Sequence, residues 1–514
     1  MDLSSDSPTF AARVEDLMKQ HHVPGFAIAI TRGNEVKSAG YGHASLDPPI
    51  PFTTDTLVDI ASCSKSFTAA AVGLLVDDKN YPRVKYDAVV SHLLPEDFIL
   101  PDETYTNQVT VDDILSHRTG MPRHDPSYMG PRAEHPDTPR SITRNLRNLP
   151  VAAPLRSKYI YNNMMFTVAV HLIQVVTQQS FSDFLQERIF RPLGMDSTSL
   201  QPAQARERGF GERLAMGHSW DEDTGSYRTI TNPDAPEAAG AARIVSSVDD
   251  FIKWVQALIN RQDPITESVY RGLVRMRTFV HPNGRHTRPY TSPTIYAAGL
   301  EIYYYRGFQV IEHGGSNPGF QSRFFFLPEL NFGAAMSGNS NGVHGVAAIL
   351  SRGLVDEALG IPQAERKYKR ETHPKKEKES TKDADSSDSD SDTEDEEDES
   401  PESQPKDPQP LTTPQTAYTG TYENRGYHTM VVEIKNDKLF IDTTTRSFGF
   451  TATFEHISGQ TKFMAHLSYW LEGGDWEMDA EFAFDGDRVV RMGLKLEPEL
   501  KEMIWFDRIL EQST

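Results

Sequence analysis

Hydrophobic and polar positions fall into two different periods along this chain of 514 residues. Near the start, apolar runs at 26–30 and 36–41 flank Gly33-Asn34, the signature of a tight antiparallel hairpin. Over 64–78 the period lengthens: Phe67, Ala70, Ala71, Leu74 and Leu75 recur at helical spacing with little charge between them, which predicts a buried helix. Helical patterns continue at 111–116, 164–177, 181–190 and 248–260. Strand patterns return at 300–305, 308–312, 322–327 and 332–336, before a last helix over 345–359. Strands at both ends with helices between them predict one antiparallel sheet built from the two ends and a helical lobe from the middle, an α/β arrangement.

The pattern breaks at 365–410, where nearly every residue is charged, Ser, Pro or Gln and Tyr368 is the only aromatic. Such a segment cannot bury enough apolar surface to order itself and reads as a disordered linker. It is polarised, with a net +4 over 365–382 and −12 over 383–402. The Ser-Asp run at 387–392 has the makings of a kinase target but reads first as a solvated spacer. Beyond it, strand-like pieces at 430–434, 439–442, 462–467, 480–484 and 489–496 alternate with the turns Asn436-Asp437 and Asp485-Gly486, predicting a small antiparallel β barrel or sandwich. No polar constellation there looks catalytic, so its expected role is accessory or lid-forming. The expected domains are 1–364, a linker at 365–414, and the barrel at 415–514.

Charge narrows the choice of partner. The chain carries 52 Lys and Arg against 73 Asp and Glu, for a net −21. Of this the linker holds −8, so the flanking regions are moderately acidic, the wrong sign for a nucleic-acid or anionic-membrane binder. Cys63 is the only cysteine, which excludes an intrachain disulfide and a cysteine-based zinc site. His21-His22 lacks a third ligand at helical spacing, and no metal or other cofactor is expected. The apolar stretches at 67–76 and 164–176 are too short to span a bilayer. The first fifteen residues do not read as a secretory signal, so a cytoplasmic location is expected. Oligomeric state is left open.

Candidate chemistry begins at Ser62-Cys63-Ser64-Lys65, at the start of the buried helix. A serine hydroxyl is a weak nucleophile until a base takes its proton, and a lysine three residues on, desolvated on the same helix face, can be that base. The pattern recurs at Ser403 and Lys406, in the linker, where nothing desolvates the lysine. A second element is Tyr161-Asn162-Asn163, leading into the apolar helix at 164. Tyr105-Thr106-Asn107 and Tyr422-Glu423-Asn424 match it too, but neither enters a buried helix. Tyr161 can relay a proton to a leaving group, and the Asn163 amide can orient substrate. The third element is His313-Gly314-Gly315-Ser316 at a strand end, where small residues admit substrate and N–H groups can face an oxyanion. His117, His124 and Asp125 sit in a loop that either edges a pocket or merely satisfies its own polar groups. Cys63 reads as a small packed thiol rather than a nucleophile. A thiol reagent that inhibits the protein would have to act there.

These residues and their neighbours resemble the serine β-lactamase and penicillin-binding-protein superfamily, in its class C β-lactamase-like branch of esterases, D-peptidases and acyltransferases. The similarity runs from about 22 to 359. It rests on Val23-Pro24-Gly25-Phe26-Ala27-Ile28-Ala29-Ile30, the block from Phe52 through Ser62 and Lys65 to Thr68, and Val109 to Pro122 with its Ser116-His117-Arg118-Thr119-Gly120. Arg191-Pro192-Leu193-Gly194-Met195 and Ser316-Asn317-Pro318-Gly319-Phe320 follow in the family's order. The resemblance implies Ser62 as the acylated nucleophile, Lys65 and Tyr161 as base and acid, Asn163 in support, His313 at the third-motif position, and the N–H groups of Ser62 and Ser316 as the oxyanion hole beside Gly315. True β-lactamases of this class carry a lysine where this chain has His313, which favours the esterase or D-peptidase branches. The C-terminal barrel resembles the lipocalin-like domains of some of these hydrolases. The expected function is a serine hydrolase or acyltransferase acting on a small ester, amide or peptide carbonyl. The alternatives are a D-stereospecific aminopeptidase or amidase and a non-catalytic binding protein of the same fold.

Overall fold

The computed structural model describes residues 8–284, 287–366 and 408–509. They form two compact units. Most of the expected charged linker, with its Ser-Asp run, falls at 367–407, outside the described residues.

The first unit draws on 1–88, 172–234 and 239–391. Its centre is a nine-stranded antiparallel sheet in the order Pro49–Pro51, Glu35–Leu46, Gly25–Arg32, Phe332–Gly338, Phe320–Leu327, Phe308–Asn317, Glu301–Tyr305, Ile295–Tyr296, Thr278–Phe279. The expected hairpin is present: Arg32 pairs with Glu35, leaving Gly33-Asn34 as a two-residue loop with Gly33 at φ 62°. The sharing of one sheet by the two ends is present as well, since Gly25–Arg32 also pairs with Phe332–Gly338, with Ala29 opposite Ala335.

Both faces of this sheet are covered, and the alternation of side chains along each strand supplies the two surfaces. On one face Phe26, Ile28, Phe325, Leu327, Ala334 and Met336 form a core with the helices Pro8–Gln20 and Val343–Ala358. The first of these was not foreseen from the polar N-terminus. Its signal is Phe10, Val14, Leu17 and Met18 at helical spacing, all buried. The helices Ser64–Asp77 and Val248–Asn260 belong to the other face. Phe67 stacks on Trp254 at 4.2 Å, Phe251 meets Phe324 edge-on at 5.5 Å, and the Trp254 indole N–H donates to Ser66 Oγ at 3.1 Å. A short sheet of Val58–Asp59, Ile244–Ser246 and Ser199–Leu200 leads into the helix Ser64–Asp77.

The second unit comprises 89–171, 235–238 and 392–514. Its helical part is pinned by the buried carboxylate of Asp113, which caps Thr110 and pairs with Arg118 at 2.6 Å and Arg156 at 2.7 Å. Its β part is a closed eight-stranded barrel in which Ile504–Arg508 returns to pair with Gly420–Asn424, Tyr422 opposite Arg508. Closure removes the exposed edges that an open sheet of this size would leave. Tyr418, Tyr422, Phe454, Phe463 and Phe482 meet largely edge-to-face in its core. The sequence pattern marked five of the eight strands. The three that went unmarked are Gly420–Asn424, Phe450–Ser458 and Ile504–Arg508.

Among the described residues no helix is long and apolar enough to cross a membrane. Trp254 is fully buried, so Trp254→Ala should cost about 3–5 kcal/mol of stability, read as a lowered midpoint in chemical denaturation at unchanged slope.

Candidate active site

The strand Val58–Asp59 passes through a 3-10 turn, Ala61–Cys63, into the helix Ser64–Asp77. Ala61 sits at φ 46°, a left-handed conformation that a residue with a Cβ adopts only when its surroundings impose it. Asp59 imposes it. Its fully buried carboxylate accepts the Ala61 N–H at 2.8 Å and is held by Arg243 Nη1 at 3.1 Å and Asn317 Nδ2 at 2.9 Å. The strain falls on the residue immediately before Ser62.

The spacing of Ser62 and Lys65 implied one face of an α-helix. The 3-10 turn does more, because at three residues per turn positions i and i+3 lie directly above one another. Lys65 is fully buried, yet its Nζ donates to Ser62 Oγ at 3.0 Å and to the carbonyl of Ala241 at 2.9 Å. Ser62 remains partly exposed. Gly299 is needed behind this helix. It has φ 62°, and a Cβ there would lie 2.5 Å from the Lys65 carbonyl oxygen.

The third motif lies in the same unit, on the strand Phe308–Asn317. A Cβ at Gly315 would come within 2.3 Å of Ile60 O and 3.2 Å of Ala61 Cβ, so only glycine lets this strand meet the turn that carries Ser62. Ser316 is exposed, and its hydroxyl accepts from Gln321 Nε2 at 3.3 Å. His313 is buried, and its tautomer follows from its partners. The Gly314 carbonyl, 2.6 Å from Nδ1, can only accept, so Nδ1 carries the proton and Nε2 accepts from Tyr296 Oη at 2.9 Å. Burial, aided by the charge of Lys65, pushes the imidazole down to about 3. This position therefore presents a neutral ring and no cation.

Cys63 is the packed thiol that the helix geometry implied. It donates to the His313 carbonyl at 3.3 Å and accepts from Ser322 Oγ at 3.2 Å. Burial pushes it up to about 12, so a thiol reagent meets neither an accessible sulfur nor a thiolate there in the folded protein.

Tyr161 and Asn163 belong to the second unit. Tyr161 is partly buried, with the Arg123 guanidinium 5.1 Å from its ring centroid and the His117 ring at 4.2 Å. Between them, Asn162 accepts the Met165 N–H at 3.0 Å and so caps the helix Met164–Thr177, while its own N–H donates to His117 Nδ1 at 3.0 Å. Asn163 Nδ2 donates to both carboxylate oxygens of Asp125 at 3.2 Å, and Asp125 pairs with Arg123 Nε at 3.0 Å. Burial works against the Arg123 charge, but Asp125 and Tyr161 more than offset it and hold the guanidinium ionised.

The structure thus brings Ser62, Lys65, His313, Gly315 and Ser316 together in one unit and Tyr161 with Asn163 in the other. Asp59 and Arg243 were missed as site residues. The readable signal for the first was a lone charge in the apolar run Val58-Asp59-Ile60-Ala61. Arg243 had none, because its pairing joins segments 184 residues apart. Removing one partner of a buried pair strands the other, so Asp59→Ala should cost about 3–5 kcal/mol. It should also slow Ser62 modification, as measured by thermal unfolding and phosphonate labelling of the protein that remains folded.

Comparison with known proteins accords with this geometry. The model of the Beta-lactamase family matches residues 10–358, and that of a domain of unknown function, DUF3471, matches 404–508. The chain is 32% identical over 508 residues to the Unguisins hydrolase of Aspergillus campestris, covering 97% of this chain and 91% of that one. It is 27% identical over 366 residues to a D-aminopeptidase of Brucella canis, covering 70% of this chain and 64% of that one. Among solved structures, the octameric penicillin-binding protein homologue of Pyrococcus abyssi superposes with a TM-score of 0.60 at 18% identity, covering 99% of this chain and all of that one. The D-amino acid amidase of Ochrobactrum anthropi superposes at 0.53 and 23%, covering 68% and 97%. These two likenesses concern the fold alone. A family model spanning most of the first 360 residues and a relative matched along nearly the whole chain show that this protein belongs to the Beta-lactamase family, within the β-lactamase and penicillin-binding-protein superfamily of serine hydrolases.

Proposed function

We propose that this chain hydrolyses an amide bond in a small peptide-like substrate through an acyl-enzyme on Ser62. The observation that carries this reading is the fully buried Lys65 amine in hydrogen-bond contact with Ser62 Oγ. To act as base the Lys65 amine must be in its neutral form, whose lone pair can take the serine proton while an N–H stays on the Ala241 carbonyl. Ser62 Oγ then bonds to the substrate carbonyl carbon as its proton passes to Lys65 Nζ. The N–H groups of Ser62 and Ser316 hold the oxyanion. Collapse breaks the C–N bond, and the leaving amine takes a proton through Lys65 and Tyr161, with Asn163 orienting the substrate. Water, activated by the same groups, releases the acid.

The names of the relatives, an unguisins hydrolase and a D-aminopeptidase, favour amide over ester substrates. The neutral His313 supports the same choice, since it offers no cation to the carboxylate of a β-lactam. The domain organisation in this reading is a hydrolase at 1–364, a linker at 365–414 and an accessory barrel at 415–514.

Mass spectrometry after incubation with a fluorophosphonate should find one adduct, on Ser62. A folded protein that takes no label would sink the enzyme reading and leave a binding protein. Turnover should appear with D-amino-acid p-nitroanilides or peptides in preference to p-nitrophenyl esters; ester turnover alone would set aside the amide assignment. Lys65→Ala should stay folded and lose about 100- to 10,000-fold in rate, the range expected for loss of a general base.

A further inference from the structure

The second unit buries another polar chain that the proposed reaction does not use. Glu497 follows the barrel strand Arg488–Leu494, Tyr427 precedes the barrel strand His428–Lys435, and His124 lies in the loop that carries Arg123 and Asp125. Their exposures are 2%, 0% and 0%. The direction of each hydrogen bond is decided from one end. His124 Nε2 is 2.9 Å from the Pro150 carbonyl oxygen, which can only accept, so Nε2 carries the ring proton. Burial pushes His124 down to about 4, so the ring is neutral and Nδ1 is bare. At 2.6 Å from Tyr427 Oη, Nδ1 accepts the phenolic proton. Tyr427 has then committed its only proton. In its 3.2 Å contact with Glu497 Oε1 the hydroxyl would donate to a carboxylate, but with its proton on His124 it can only accept, from a protonated carboxyl.

We infer that Glu497 is a neutral carboxylic acid that acts as a positioning residue, docking the barrel onto the 120–128 loop through a directed relay from Glu497 to Tyr427 to His124 to the Pro150 carbonyl. The loop is gripped a second time, by Arg446 Nη1 donating to Pro126 O at 2.7 Å and by the Ser447 N–H donating to Tyr128 O at 3.2 Å. The cargo of this loop is Asp125, which accepts from Asn163. In this way the barrel sets where Asn163 stands, a consequence that rests on the substrate-orienting role proposed for Asn163 above.

The groups facing Glu497 agree with a retained proton. Burial acts first, the carboxylates of Glu499 and Asp125 add to it, and Arg123 opposes them without prevailing. His124 stands at 3.8 Å but is neutral, Tyr469 also faces Glu497, and Arg446 lies beside Tyr427. Because the folded carboxyl keeps its proton to higher pH than a free glutamate does, the folded state binds the extra proton through that window. Stability is therefore complete below the ordinary glutamate range and falls as pH rises toward the raised value.

The test uses the full chain. An infrared difference spectrum between wild type and Glu497→Gln at neutral pH should show the carbonyl band of a protonated carboxyl, lost from wild type as the pH is raised. Glu497→Gln, whose amide can still donate to Tyr427, should keep kcat and flatten the alkaline decline in both stability and rate. Tyr427→Phe should lower kcat by up to about 100-fold, as misplacement of an orienting group does. Absence of the carboxyl band, or a Glu497→Gln protein as impaired as Glu497→Ala, overturns the inference. A band present in a protein whose Ser62 takes no phosphonate upholds the protonated carboxyl and overturns the assignment of the reaction instead.

Discussion

The constraint on which the first unit turns is the complete burial of one amine. A lysine nitrogen taken out of water loses several kcal/mol of solvation unless it is neutral or well partnered. Lys65 has hydrogen-bond partners in the Ala241 carbonyl and the hydroxyl of Ser62. Keeping water away from it requires a helix buried along its length, hence the run of Ala, Phe, Val and Leu over Ser64–Asp77. It also requires Trp254 stacked on Phe67 and a glycine at 299 to let neighbouring backbone approach the helix.

A buried lysine stays in contact with a neighbouring hydroxyl only if that hydroxyl is held at one height. The 3-10 turn accomplishes this by superposing positions 62 and 65, at the cost of a left-handed Ala61. Strain of this kind persists only where the surroundings over-determine it. Here they are the carboxylate of Asp59, its partners Arg243 and Asn317, and a glycine at 315 that lets the neighbouring strand close on the turn.

In the second unit the same logic is applied to a loop. Asp125 holds Asn163 and pairs with Arg123, whose guanidinium lies against Tyr161. Besides its buried Met121 and Tyr128, the loop is held by polar contacts with the barrel: Tyr427 on His124, and Arg446 and Ser447 on the carbonyls of Pro126 and Tyr128.

By itself the sequence determined most of the elements and singled out the pair Ser62 and Lys65. Alternation and helical spacing are local properties, and they located the hairpin at 33–34, the buried helix after Ser62, the helices at 164–177 and 248–260 and most of the barrel strands. A serine and a lysine three apart at the start of an apolar helix are likewise legible within four residues. Tertiary structure alone decided the rest, because each remaining feature joins residues far apart in the chain. The closing of the barrel by Tyr422 and Arg508, the seating of Asp59 on Arg243, the neutral tautomer of His313 against Tyr296, and the grip of Tyr427 on His124 all depend on distances and burial. Those quantities exist only once the chain has folded.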